Sequence, residues 1–182
     1  MFDGTDDSLS TTALTLGSVD KADVFLGIRK LSDASAGVVF GMGSNCYTQP
    51  GAMIITAPDG TSSATYGGRL TGIGGTNRGY SIVAAQPDTS VLSYGLNIGS
   101  ASQPQNVRLR RNGAVQSLTP AGGAFTPTTF ADVVSCIGAN NGTSARLNGW
   151  IYGLIVRYSA TNLDAATIAN AETWMNGKTG AY

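Results

Sequence analysis

The chain has 182 residues and a mass of 18.6 kDa, room for one domain and little more. Lys+Arg and Asp+Glu number 11 each, so the formal net charge is zero and the basic excess that tracks a nucleic-acid backbone is missing. There is no histidine and one glutamate, Glu172, which closes Ser-His-Asp and Cys-His nucleophile systems and leaves any two-carboxylate mechanism to the aspartates.

With 25 glycines, 12% charged and 42% hydrophobic residues, the chain suits short strands joined by Gly-rich turns. Residues 2–10 predict an opening strand or turn. Strands follow at 23–29, 37–40 and 52–56, separated by Gly, Ser, Asn and Pro, and again at 80–85 and 90–96. Residues 107–118 carry the sharpest local signal. Asn112-Gly113 supplies the two positive φ values of a type I′ turn, pairing Arg111 with Ala114, Leu109 with Gln116 and Val107 with Leu118. The last strands are expected at 133–139 and 150–158, joined by the Gly- and Asn-rich residues 140–149. Asp164 then caps a helix over 165–175, with an apolar stripe of Ala165, Ile168, Ala171 and Met175, and Asn176-Gly177 ends it. No repeat or domain boundary is visible, so residues 1–182 read as a single domain.

The opening Phe2-Asp3-Gly4-Thr5-Asp6-Asp7, the strand at 24–29, the Arg111-Asn112-Gly113 turn, the closing residues 147–156 and the helix from Asn162-Leu163-Asp164 to Trp174 fall in a familiar order. In that order they resemble a laminin-G-like module of the concanavalin A-like lectin/glucanase superfamily. The tail through Lys178-Thr179-Gly180 resembles versions carried by bacteriophage tail and receptor-binding proteins and by prophage surface proteins. The resemblance implies an all-β jelly-roll β-sandwich of two antiparallel sheets with a short C-terminal α-helix. It implies a cell-surface glycan as partner, a place in a phage tail or on a bacterial surface, and a homotrimer within a larger fibre. The superfamily's glucanases use Glu-x-Asp-x-x-Glu on a strand, and a chain whose one glutamate is on the terminal helix cannot carry it.

Residues 66–80 are the best ligand loop: Tyr66 and Tyr80 offer rings for the C–H faces of sugars, and Arg69, Asn77 and Arg78 offer planar groups for vicinal hydroxyls. The bland alternative is two strands joined by a mobile loop. Asn45, Tyr47 and Gln49 form a smaller cluster of the same kind. Asp3, Asp6 and Asp7 could share a calcium ion, although a turn explains the same residues; no other cofactor is expected. Trp150 and Trp174 are expected in the core. Arg108, Arg110 and Arg111 are a solvated face or a site for acidic sugars. Cys136 reads as a buried thiol, with pairing to Cys46 left open, and Asn141-Gly142-Thr143 as a turn before a glycosylation acceptor.

These residues give three expectations. The first is a non-catalytic carbohydrate- or receptor-binding module, with no membrane insertion and no nucleic acid. The second is a structural connector that touches sister subunits. The third, an enzyme using two of Asp59, Asp88 and Asp132, has no support in their spacing. Residues 1–4 lack the basic and apolar leader of a secretory signal.

Overall fold

The computed structural model describes residues 1–43, 45, 47–102 and 107–182. Among these the elements are β1 (Phe2–Asp3), β2 (Leu9–Ser10), β3 (Lys21–Lys30), β4 (Val38–Met42), β5 (Met53–Thr56), β6 (Thr65–Thr71), β7 (Asn77–Val83), β8 (Asp88–Asn97), β9 (Val107–Arg111), β10 (Ala114–Val115), β11 (Thr119–Ala121), β12 (Ser135–Ile137), β13 (Asn148–Ser159) and α1 (Ala165–Thr179). The strands form a six-stranded sheet of order β1-β13-β3-β8-β9-β10 and a seven-stranded sheet of order β11-β7-β6-β5-β4-β12-β2. Every strand pair is antiparallel. The molecule is an all-β jelly-roll β-sandwich with a C-terminal helix.

Alternation along the strands decides what lies between the sheets. Val24, Leu26 and Ile28 of β3 and Leu92, Tyr94 and Leu96 of β8 face Phe40, Met42, Met53, Ile55, Tyr66 and Leu70 across one buried core. Lys30 closes one end of it, fully buried. Its Nζ donates to Ala84 O at 2.5 Å, pairs with Asp33 at 2.5 Å and lies 5.0 Å from the centre of the Tyr66 ring. A buried ammonium needs this much compensation, because desolvation penalises an unpaired charge severely.

β3 reads as an almost unbroken apolar run because both its faces are covered. Phe25 points away from the core and joins Val91, Ile168 and Met175 under α1. The helix lies directly on the sheet backbone: a Cβ at Gly27 would stand 2.6 Å from Thr179 Cγ2 and 3.0 Å from Met175 Sδ. Asp164 caps α1, its Oδ1 accepting from Thr167 N at 2.8 Å. The helix runs one turn past the expected stop, through Gly177, to a left-handed Gly180.

The hairpin turn forms as predicted, with Asn112 at φ 51° and Gly113 at φ 75° and Ala114 opposite Arg111. Leu118 does not pair with Val107 in a ladder. The chain leaves β10 after two residues and crosses to the seven-stranded sheet as β11 beside β7. Trp150 and Trp174 also depart from expectation: they are 42% and 52% exposed rather than core. Trp150 sits on the outward face of β13, whose inward positions are Ile151, Leu154, Val156 and Tyr158. The register shifts at Tyr152, between Ile151 and Gly153. That bulge is why simple alternation along 150–158 misplaces the apolar side chains.

Candidate functional site

The segment read as a ligand loop is mostly sheet. Residues 65–71 and 77–83 are β6 and β7, joined by a tight 3-10 turn at Ile73–Gly75. The two strands of the bland alternative are therefore observed, with a short ordered turn in place of a mobile loop, and alternation sorts the predicted residues onto two faces. Tyr66, Arg78 and Tyr80 point inward and are buried, at 0%, 7% and 3% exposure. Tyr80 still borders an open, mostly apolar hollow of about 450 Å³ with Val107, Leu109, Val115, Leu118 and Pro120, away from Arg69 and Asn77. Tyr66 instead donates its hydroxyl to Asp88 Oδ2 at 2.7 Å, and burial followed by that bond pushes its ionisation far up.

Arg69 and Asn77 point outward. Arg69 lies across Gly79, and its guanidinium carbon stands 5.1 Å from the centre of the Tyr47 ring, a cation–π contact. The loop carrying Tyr47 turns at Asn45, whose Oδ1 accepts from Tyr47 N at 3.1 Å. Asn45 thus positions Tyr47, while the Asn77 carboxamide is held by Thr71 Oγ1 and Gly75 O, both at 2.9 Å. Arg69, Asn77, Gly79, Ala121 and Gly122 line a hollow of about 120 Å³ on the outer face of the seven-stranded sheet. Among the described residues, no carboxylate lies within ion-pair distance of Arg69.

One neighbour was not singled out for this face. Gly67 is two positions before Arg69 on the same face, and Asp59 lies down on it: a Cβ at Gly67 would stand 2.4 Å from Asp59 Cγ. Thr56 Oγ1 donates to Asp59 Oδ1 at 2.8 Å. Burial raises the Asp59 carboxyl above its ordinary value, opposed by the Thr56 bond and by the charge of Arg69. The signal was present in the sequence: Tyr66, Gly68 and Leu70 alternate with Gly67, Arg69 and Thr71, which assigns Arg69 to the face opposite Tyr66 once 65–71 is read as a strand. Nothing local in the sequence reveals that Asp59 folds back onto Gly67.

The other candidates divide. Asp3, Asp6 and Asp7 do converge, with carboxylate oxygens within 4.8 Å of one another. Two of them also make ordinary turn bonds, to Thr5 N and Asp3 N. The three hairpin arginines are each tied to a carboxylate: Arg108 to Asp23 at 3.4 Å, Arg110 to Glu172 at 2.8 Å, and Arg111 to Asp88. Asp88 is further occupied by Tyr66 and Ser90, and Asp132 accepts from Leu16 N and Gly17 N. Cys136 is a buried free thiol whose ionisation burial pushes up; Cys46 lies outside the described residues.

Comparison of the folded chain with solved structures finds the same jelly-roll β-sandwich in several proteins. A carbohydrate-binding module, the CBM40 of the Ruminococcus gnavus IT-sialidase, superposes with a TM-score of 0.58 at 13% identity, over 93% of this chain and 96% of that one. The heptameric SAP-like pentraxin of Limulus polyphemus gives 0.56 at 16% identity, over 85% and 73%. The binding domain of botulinum neurotoxin serotype D/C gives 0.64 at 12% identity, over 96% of this chain and 43% of that one. What is shared is the jelly-roll fold. No protein-family model matches the sequence, and no curated protein matches it.

Proposed function

We propose that the chain is a non-catalytic glycan-binding module that takes carboxylate-bearing sugars on the outer face of its seven-stranded sheet. The observation that carries this is Arg69, a guanidinium braced on Tyr47 beside a small hollow, with no carboxylate within ion-pair distance among the described residues. A planar guanidinium binds a carboxylate through two parallel hydrogen bonds, and the exposed part of Tyr47 adds an apolar surface for ring C–H groups. Gly79, Ala121 and Gly122 keep the floor low enough for a sugar to approach. The R. gnavus module of the same fold has been solved bound to α2,3- and to α2,6-sialyllactose, sugars with a carboxylate. Its likeness to this chain supports the reading at the level of fold.

Catalysis has little to work with. The one glutamate is buried in an ion pair under the helix, and Asp59, Asp88 and Asp132 are each held by different neighbours. We further infer, on the laminin-G-like resemblance, that the module belongs to a phage tail fibre or a bacterial surface protein and meets bacterial surface glycans. A calcium ion at Asp3, Asp6 and Asp7 belongs to the same resemblance and is no part of the groove.

The test is a glycan array followed by titration calorimetry with Arg69→Ala. Binding confined to acidic glycans, weakened roughly 10- to 100-fold by the substitution, is the expected result, since a hydrogen bond to a charged group contributes about 1.5–3 kcal/mol. Binding unaffected by loss of Arg69 moves the site elsewhere, and no binding to any acidic glycan overturns the reading. A second reading, the connector, is favoured by Trp150, Tyr152 and Ile155 of β13 and Trp174 of α1, which stand exposed on the opposite sheet and its helix.

A further inference from the structure

The Asn77 carboxamide is held in one orientation. Its Nδ2 donates to Gly75 O at 2.9 Å, a carbonyl that can only accept, so the amide cannot be turned the other way round. Its Oδ1 accepts from Thr71 Oγ1 at 2.9 Å. A primary amide offers two N–H donors and an oxygen with two lone pairs. Among the described residues, these two bonds leave one N–H and one lone pair of Asn77 unspent.

The strand register sets that donor–acceptor pair beside the guanidinium. Arg69 is paired with Gly79 and Thr71 with Asn77, so Arg69 and Asn77 are diagonal neighbours on the outward face. Gly79 has no side chain to screen one from the other, and Arg69 Nε would stand 3.7 Å from a Cβ placed there. Ala121 and Gly122 complete the hollow. Gly122 has to be glycine: its φ is 98°, and a Cβ there would run into Asn77 O. The volume, about 120 Å³, is that of roughly four waters at ~30 Å³ each, which suits a carboxylate and the carbons beside it.

Sugar acids differ at the position this pair would meet. In a hexuronic acid the carboxylate is borne by C5, and C4 beside it carries a hydroxyl. In an ulosonic acid such as N-acetylneuraminic acid the carboxylate is borne by C2, and C3 beside it is a methylene. A hydroxyl donates and accepts, and so matches the two valences that Asn77 has left. A methylene matches neither and would leave them desolvated without a partner, which is costly.

This step rests on the carboxylate reading of Arg69 and adds the class of sugar. We propose that Asn77 determines specificity in the hollow: it exchanges hydrogen bonds with the hydroxyl next to the carboxylate-bearing carbon, and the module prefers hexuronic acids to ulosonic acids.

Titration calorimetry of the whole chain tests this with the methyl glycosides of glucuronic acid, 4-deoxyglucuronic acid and N-acetylneuraminic acid. The glucuronide is expected to bind tightest, ahead of its 4-deoxy analogue by roughly 3- to 10-fold, the range of one neutral hydrogen bond. In Asn77→Ala the glucuronide should weaken to the level of the 4-deoxy analogue, whose own affinity should hardly change, because its side of the bond is already gone. A merely structural role for Asn77 would weaken both ligands alike. Should the variant melt early, the contrast between the two glucuronides on the wild-type chain decides. Equal binding of those two overturns the role of Asn77, and tighter binding of the neuraminide overturns the preference; either result leaves the carboxylate reading standing. Failure of all three sugars to bind overturns that reading and this inference with it.

Discussion

At the residue scale, two carboxylates carry separable predictions. Asp59 lies on Gly67, on the same sheet face as Arg69, with its proton affinity raised by burial, so it opposes an incoming sugar carboxylate when ionised. As pH falls through its elevated pKa the carboxyl becomes neutral and that repulsion is lost. Binding of an acidic glycan should therefore tighten as pH is lowered from 7 toward the Asp59 pKa, and Asp59→Asn should flatten the profile; calorimetry across pH reads both. The raised pKa has a second consequence: the folded state holds this proton more tightly than the unfolded chain, so ionised Asp59 costs stability above its folded pKa and the cost is relieved below it. Glu172 is a contrasting case. It accepts from Ser93 Oγ at 2.5 Å and from Arg110 Nε at 2.8 Å, and this bond holds the Arg110 guanidinium charged. Glu172→Ala strands Arg110 and Ser93 beneath α1 and should cost about 3 kcal/mol in urea unfolding. Glu172→Gln keeps an acceptor and should cost less.

At the scale of elements, the helix is held to the six-stranded sheet by Phe25, Val91, Ile168 and Met175 and started by Asp164. Hydrogen bonds from Thr167 N, then from Thr167 Oγ1, hold the Asp164 carboxyl below its ordinary value of 3.8. A depressed carboxylate contributes stability above its unfolded pKa and loses it as pH falls through the lower folded value. Acid unfolding followed by circular dichroism should show this loss beginning below about pH 4, and Asp164→Asn, which keeps a capping oxygen but cannot titrate, should remove that part of the pH dependence. This cap and the Asn112-Gly113 turn were legible in the sequence because each is decided within four residues. The β3 strand was legible because burial on both faces leaves a continuous apolar run. The site was only half legible. Residue types at 66–80 gave Arg69 and Asn77, which lie outward beside the hollow, but reading the segment as a loop hid the alternation that buries Tyr66, Arg78 and Tyr80. Tyr47 reaches Arg69, and Asp59 reaches Gly67 on the same face, through long-range folding that no local pattern encodes.

At the scale of the molecule, the two sheets divide the surface between them. The outer face of the seven-stranded sheet carries the polar hollow at Arg69, while the six-stranded sheet carries the helix and the exposed Trp150, Tyr152 and Ile155 of β13. Neither Arg69 nor Tyr47 belongs to the six-stranded sheet, so the two faces can be tested against each other. Arg69→Ala should weaken binding of a soluble acidic glycan, and Ile155→Lys should leave that affinity unchanged; titration calorimetry of both variants reads the difference. If Ile155→Lys weakens the binding as well, the outer face of β13 contributes to the binding site itself, and the two sheets do not act separately.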